Sequence, residues 1–276
     1  MPDIVIHVVA SALYAALALH FWNTRWRAQT RASGGIQAWE RAAILLPLAL
    51  HGAILYSETF AGNELRFGFA YALSAMLWLA VLFYWLESFF YDLDAMQPPA
   101  LALAALSVPL TALFPGRVAG AVYAASFEFR LHLVLAMLAY SLFTIAILHA
   151  LLMAALERRL HRKDGGAGVT MGALPPLLTL ERLLFRLIGA AFLLLTLTLA
   201  TGIAFSETLF GRAMRFDHKT VFAVLSWLTF GSLLAGRWLY GWRGRTALRW
   251  TLSGFLFLIL AYVGSRFVLE VILRRG

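Results

Sequence analysis

Apolar runs close to twenty residues long recur from one end of the chain to the other, and this repetition decides the fold class. An α-helix rises 1.5 Å per residue, so about 20 residues cross a hydrocarbon core of about 30 Å. The runs are continuous rather than alternating with a period of two. Because a chain in lipid must satisfy its backbone hydrogen bonds internally, they read as helices and not as the strands of a β-barrel. The composition agrees, with 62% hydrophobic residues, 13% charged residues and a mean hydropathy of +0.78. The expected fold is all-α, a polytopic integral-membrane bundle of about eight transmembrane helices near 4–22, 39–56, 67–86, 98–114, 129–156, 183–205, 218–239 and 248–273. The fourth run is short and carries Pro109, which predicts a tilted or broken helix.

A net charge of +9 raises the question of nucleic acid, but Lys and Arg sit in short loops between the runs, where they orient the bundle and meet lipid headgroups. The loop after the first run, "ERRLHRKDGGAG" after the fifth and "RWLYGWRGRTALR" after the seventh all fall on one side when alternate loops are assigned inward. That places both termini outside, in a bacterial cytoplasmic (inner) membrane. "ESFFYDLDAMQPP" is an acidic inner loop, and acidic residues contribute little to orientation. The start, "MPDIVIHVVASALYAALALHFW", lacks a basic leader region and reads as a retained first helix. The chain is read as a single membrane domain, with front helices in 1–156, a Gly-rich cytoplasmic linker in 157–177 and back helices in 178–276. It contains no cysteine, which excludes disulfides, Cys-ligated zinc, iron–sulfur clusters, covalent C-x-x-C-H haem and thiol exchange by the chain itself. Any haem would be held non-covalently.

Seven histidines occur, and the topology sorts them by depth. His20, His149 and His161 lie toward the inner side, and His7, His51, His132 and His218 in the outer half. His132 and His218 fall within about one turn of helix ends, and His51 about two turns deep. A histidine at a helix end is ordinarily an amphipathic side chain at headgroup level. His51 is harder to place in that way, because an ionisable group inside the hydrocarbon region normally faces a bundle interior with a partner. Neutral imidazole is also a haem-iron ligand, and two helices presenting one each would clamp a haem from both faces. In "RAMRFDHKTVFAVLSW", Arg215 and Lys219 stand on the side where positive charge is disfavoured, and either suits a haem propionate. Asp217 fits a helix cap that also orients its neighbours.

These residues resemble a family. The stretches "RLHLVLAMLAYSLFTIAILHALLMAALERRL", "LPPLLTLERLLFRLIGAAFLLLTLTLATGIAFSE", "FDHKTVFAVLSWLTF" and "GWRGRTALRWTLSGFLFLILAYVGSRFV" cover roughly half the chain. In order, they are similar to the CcsA/ResC-type cytochrome c assembly proteins, especially their short HemX- and YpjD-like branch. The resemblance implies haem handling at the outer face of the membrane. It matches His132 in "RLHLVLAMLAY" to an outer axial haem ligand. It matches "FGRAMRFDHKT", in 205–220, to a degenerate tryptophan-rich haem segment, with Asp217 and Lys219 at its end and Trp227 in the helix that follows. The segment's own tryptophans are missing, and so is the outer histidine expected after the eighth helix, so the second iron ligand falls to His218 or His51. The implied cofactor is b-type haem, and the implied partners are membrane lipid, apocytochrome c and other cytochrome c assembly proteins, with no nucleic acid. No H-E-x-x-H run, phosphate loop or nucleophile motif is present, so no enzyme activity is read from the residues. Two other readings stand beside haem binding: a haem-synthesis regulator or membrane chaperone without its own haem, and a small-solute transporter.

Overall fold

The computed structural model describes residues 2–26, 36–59, 65–91, 93–119, 126–161, 177–205 and 218–273. Helices dominate them. They are α1 (Pro2–Phe21, continued by a wide turn over Trp22–Trp26), α2 (Ala38–Thr59), α3 (Phe69–Glu87), α4 (Gln97–Leu113), α5 (Phe127–His161), α6 (Leu177–Ala204), α7 (His218–Tyr240) and α8 (Gly244–Ile259). The last continues through i→i+5 turns at Leu260–Gly264 and Val268–Ile272, with a short α segment, Ser265–Phe267, between them. Each lies where an apolar run predicts it.

Seven helices among the described residues are long and apolar enough to cross a membrane. The exception is α4, whose 17 residues span about 25 Å at helical rise, short of the hydrocarbon thickness. Pro98 sits in its first turn, where a missing N–H costs nothing, and Pro109 lies inside the helix. It packs against α1 and α3 and buries Leu101, Ala104 and Val108 there, so protein covers much of what lipid would cover on a full span. The longest helix, α5, has 35 residues and reaches about 52 Å. It joins the two halves, packing against α3 on one side and against α6 and α8 on the other.

Successive helices alternate in direction, which puts the starts of α3, α5 and α7 and the ends of α2, α4, α6 and α8 at one end of the bundle. That end is marked by a two-stranded antiparallel ladder of β1 (Leu65–Phe67) and β2 (Arg117–Ala119), in which Arg66 pairs with Val118. Gly116 stands at φ +63°, a left-handed conformation that favours glycine, and any Cβ there would meet the Phe67 carbonyl at 3.0 Å. The start of α1 and the last described turn of α8 both lie at this ladder end. His7 of α1 bonds Thr111 of α4 at 3.1 Å, and Glu270 contacts the start of α3.

The opposite end is closed by charge. Buried Glu40 accepts from Arg25 at 2.8 Å and pairs with His20 at 2.9 Å, while Arg41 donates to the Ser88 carbonyl at 2.6 Å. In the back half Glu181 pairs with Arg237 at 2.6 Å and with Arg243 at 3.4 Å. The core between the two ends is mostly apolar, with Phe143 of α5 stacked on Phe230 of α7 at a centroid distance of 3.8 Å.

Candidate functional site

At the ladder end, α5, α6, α7 and α8 enclose a cavity of about 440 Å³, within the size range of ligand pockets. Its α5 wall is Phe129, His132, Leu133, Ala136, Met137 and Tyr140, whose 3,1,3,1,3 spacing is one face of a helix. The α6 wall runs along Thr198, Thr201 and Gly202. Lys219 and Thr220 come from the first turn of α7, and Tyr262 and Arg266 from α8. The Tyr140 hydroxyl is used in the floor, donating to the Leu258 carbonyl at 2.7 Å.

The imidazole is set by its neighbours. His132 Nδ1 lies 3.0 Å from Thr201 Oγ1, and that hydroxyl lies 2.9 Å from the Leu197 carbonyl and 3.0 Å from that of Thr198. A threonine hydroxyl has one proton, and the backbone carbonyls can only accept. The tautomer that suits a metal ligand sends that proton to the backbone, so that Oγ1 accepts from Nδ1–H and the lone pair of the neutral ring stands on Nε2. Beside the ring, a Cβ on Gly202 would lie 3.2 Å from His132 Cε1, so the absence of a side chain at 202 makes room for this orientation. An imidazole with its lone pair on Nε2, in a mostly apolar cavity, is a donor that suits haem iron.

The other residues expected from the sequence are distributed unevenly. Lys219 lines the cavity. His218 is exposed at the first position of α7, and its ring is not part of the lining. Trp227 lies two turns further along the same helix, where its Nε1 donates to Thr196 Oγ1 at 2.9 Å and its ring stacks on Phe192. It braces α7 against α6 below the cavity. His51 is fully buried elsewhere, in the front half: Nε2 is 2.7 Å from Ser74 Oγ, and Tyr14 meets the ring edge-on at 5.8 Å. Asp217 and Arg215 lie outside the described residues.

Sequence reasoning missed Thr201, Gly202, Tyr262 and Arg266. The threonine and the glycine were legible as T-x-x-T-G in "LTLTLATGIAF", where positions 198, 201 and 202 share a face. Arg266 carried the signal that singled out Lys219, a cation on the side that the Lys and Arg bias of the loops assigns outward.

A family model described as "Cytochrome C assembly protein" matches residues 39–273. Among curated proteins, the inner membrane protein YpjD of Escherichia coli K12 is 36% identical over 141 residues, covering 51% of this chain and 52% of that protein. An uncharacterized 28.8 kDa protein of Azospirillum brasilense is 38% identical over 143 residues, 52% of each chain. The cytochrome c biogenesis protein CcsA of Rippkaea orientalis is 33% identical over 86 residues, which are 31% of this chain and 25% of that protein. The chain thus spans about half the length of the first two relatives and a quarter of the third. No solved structure matches it. The chain belongs to the cytochrome c assembly protein family.

Proposed function

With membership of that family as the premise, we propose that the chain is an inner-membrane protein that holds b-type haem non-covalently at the outer face for cytochrome c assembly. The observation that carries this reading is His132, its Nδ1–H committed to Thr201 and its Nε2 left as a donor in a cavity of about 440 Å³. Bound haem would supply an iron centre that takes axial imidazole and a pair of carboxylates that seek cations.

Each residue has a part in that reading. His132 would be one iron ligand, and Thr201 would fix its tautomer and ring plane. The α5 face from Phe129 to Met137 and the α8 face at Leu258 and Ala261 exclude water from the macrocycle. Lys219, at the mouth, meets a carboxylate. His218, next in sequence to a residue of the cavity wall, would be the second iron ligand in preference to His51, which Ser74 and Tyr14 engage in the other half of the bundle. The ladder end is taken as periplasmic, because the Arg-rich end that closes around Glu40 and Glu181 suits the cytoplasmic side.

The test is one spectrum. Protein purified from haem-replete cells should show a Soret band with low-spin features, and His132→Ala should lose the low-spin features while retaining its elution volume and helix content. A colourless wild-type protein would instead favour an assembly chaperone without its own haem. An unchanged spectrum in His132→Ala would remove the ligand assignment.

A further inference from the structure

Where α8 reaches the cavity it stops being a regular α-helix. Residues eight apart in an α-helix have turned about 80° from one another, which would carry Arg266 off the wall that Leu258 begins. The i→i+5 turn over Leu260–Gly264 rotates less per residue and cancels much of that drift. As a result Leu258, Tyr262 and Arg266 all line the cavity. Wide turns of this kind carry a cost in helix geometry and often mark functional sites. Here the first of them brings a guanidinium to the cavity.

The guanidinium is then held. Its carbon lies 5.8 Å over the Tyr262 ring, within cation–π range. Arg266 Nη1 is 4.0 Å from Glu270 Oε1, close enough for electrostatic attraction and too long for a hydrogen bond. Arg266 Nε is buried with no hydrogen-bond partner among the described residues, so the fork retains donor capacity. Glu270 is fixed from the other side. Its Oε2 faces the Phe69 amide at 3.4 Å and would lie 3.0 Å from a Cβ at Gly68, so the carboxylate sits tightly on the first turn of α3. The side chains of Arg266 and Glu270 are 32% and 12% exposed, which places the pair at the rim of the cavity and not in bulk water.

Resting on the haem reading of the His132 cavity, we propose that Arg266, aimed by the wide turn of α8 and positioned by Glu270, is the residue that recognises the ligand's carboxylate and selects a macrocycle bearing free acids over a neutral one. Lys219 contributes a point charge from the facing helix. Arg266 contributes a planar fork that pairs with a carboxylate in two parallel bonds. Glu270 does not touch the ligand. It keeps the fork turned toward the cavity, and it ties the back half of the bundle to the start of α3 through the Phe69 amide.

The experiment compares two probes on the full chain in detergent: haem, and haem dimethyl ester, which keeps the iron and the ring but lacks free carboxylates. Wild type should bind haem more tightly than the ester. Arg266→Gln should weaken haem by roughly tenfold to a hundredfold, the usual worth of a hydrogen bond to a charged group, and leave the ester within about twofold. Glu270→Gln should lose part of the discrimination, and Arg266→Lys should restore part of it. Equal loss for both probes in Arg266→Gln, or a wild type that binds the ester as tightly as haem, overturns the proposal. So does an unchanged haem affinity in Arg266→Gln, which would leave Arg266 as an anchor for lipid headgroups. His132→Ala separates the two levels, since it should remove the low-spin spectrum with either probe. If that holds while Arg266 fails, the haem reading stands without this anchor, whereas a wild type that takes up neither probe removes both.

Discussion

Replacing Thr201 by Val tests the orientation of the proposed axial ligand while sparing the ligand itself. The change keeps the shape of the side chain and deletes the oxygen 3.0 Å from His132 Nδ1. That oxygen's own bonds to the Leu197 and Thr198 carbonyls are back-bonds within α6, so their loss leaves the helix ladder intact. What remains to the imidazole is the Thr198 backbone carbonyl, and the ring loses the side-chain oxygen that fixes its plane. One net hydrogen bond is worth about 0.5–1.5 kcal/mol, and removing the group that orients a metal-bound histidine typically costs 10- to 100-fold in affinity. Thr201 is half-buried, so water can replace part of the lost bond and the lower end applies. The expected effect is roughly tenfold in Kd, about 1.4 kcal/mol, read by titrating haem into apoprotein and following the Soret band. Thr201→Ser, which keeps the hydroxyl, should stay within about threefold of wild type, on the same hydrogen-bond scale. A valine variant as tight as wild type, or a serine variant as weak as valine, would refute the argument that Nδ1–H is committed to this oxygen.

Gly202→Val should turn the His132 ring, because even a Cβ there approaches Cε1 at 3.2 Å; the low-spin spectrum should weaken with little change in melting temperature. His51→Ala should leave haem affinity unchanged and lower stability by about 1–3 kcal/mol in detergent unfolding, since its bond to Ser74 and its contact with Tyr14 lie in the front half. Glu40→Ala should cost about 3–5 kcal/mol, because Arg25 and Glu40 are 6% and 3% exposed and the guanidinium is left buried without its carboxylate. Reporter fusions at the C-terminus should behave as periplasmic and fusions within 163–168 as cytoplasmic; the reverse would invert the bundle.

The helices were legible because length and hydropathy are one-dimensional properties, and eight runs gave eight helices in place among the described residues. The weak one, α4, was legible as weak: its brevity and Pro109 both stand in the sequence, but its packing against α1 and α3 does not. His132 and Lys219 could be named from a helix-end position, a charge on the disfavoured side and a family likeness. The wall that faces them could not, because which of the threonines in "LTLTLATG" meets His132 depends on the rotation of α6 against α5. Nor does any local pattern announce that α8 widens its turns at Leu260 and so carries Arg266 to the same cavity. His51 shows the converse: burial and ionisability alone mark it for function, yet its ring is engaged by Ser74 and Tyr14 in the front half and is not part of the lining of the His132 cavity.

The two ends of the bundle employ cations in different ways. At the Arg-rich end nearly every pairing joins neighbouring segments: Arg25 to Glu40 across the first connection, Arg41 to the Ser88 carbonyl, Arg237 and Arg243 to Glu181, and Arg245 to Glu157. Those charges suit the orienting bias of a membrane protein and also close its helix ends. With the ladder end taken as periplasmic, as proposed above, the same bias would oppose cations there, yet Lys219 and Arg266 both line the cavity that contains His132. The nearby carboxylate, Glu270, stands 4.0 Å from Arg266 and offsets its charge without saturating its donors. A purely topological account predicts that neutralising Lys219 and Arg266 would only strengthen the outward placement of this end. The ligand-binding account predicts that the double substitution Lys219→Gln/Arg266→Gln leaves topology as it was and removes the preference for haem over its dimethyl ester, and the two accounts separate on that single comparison.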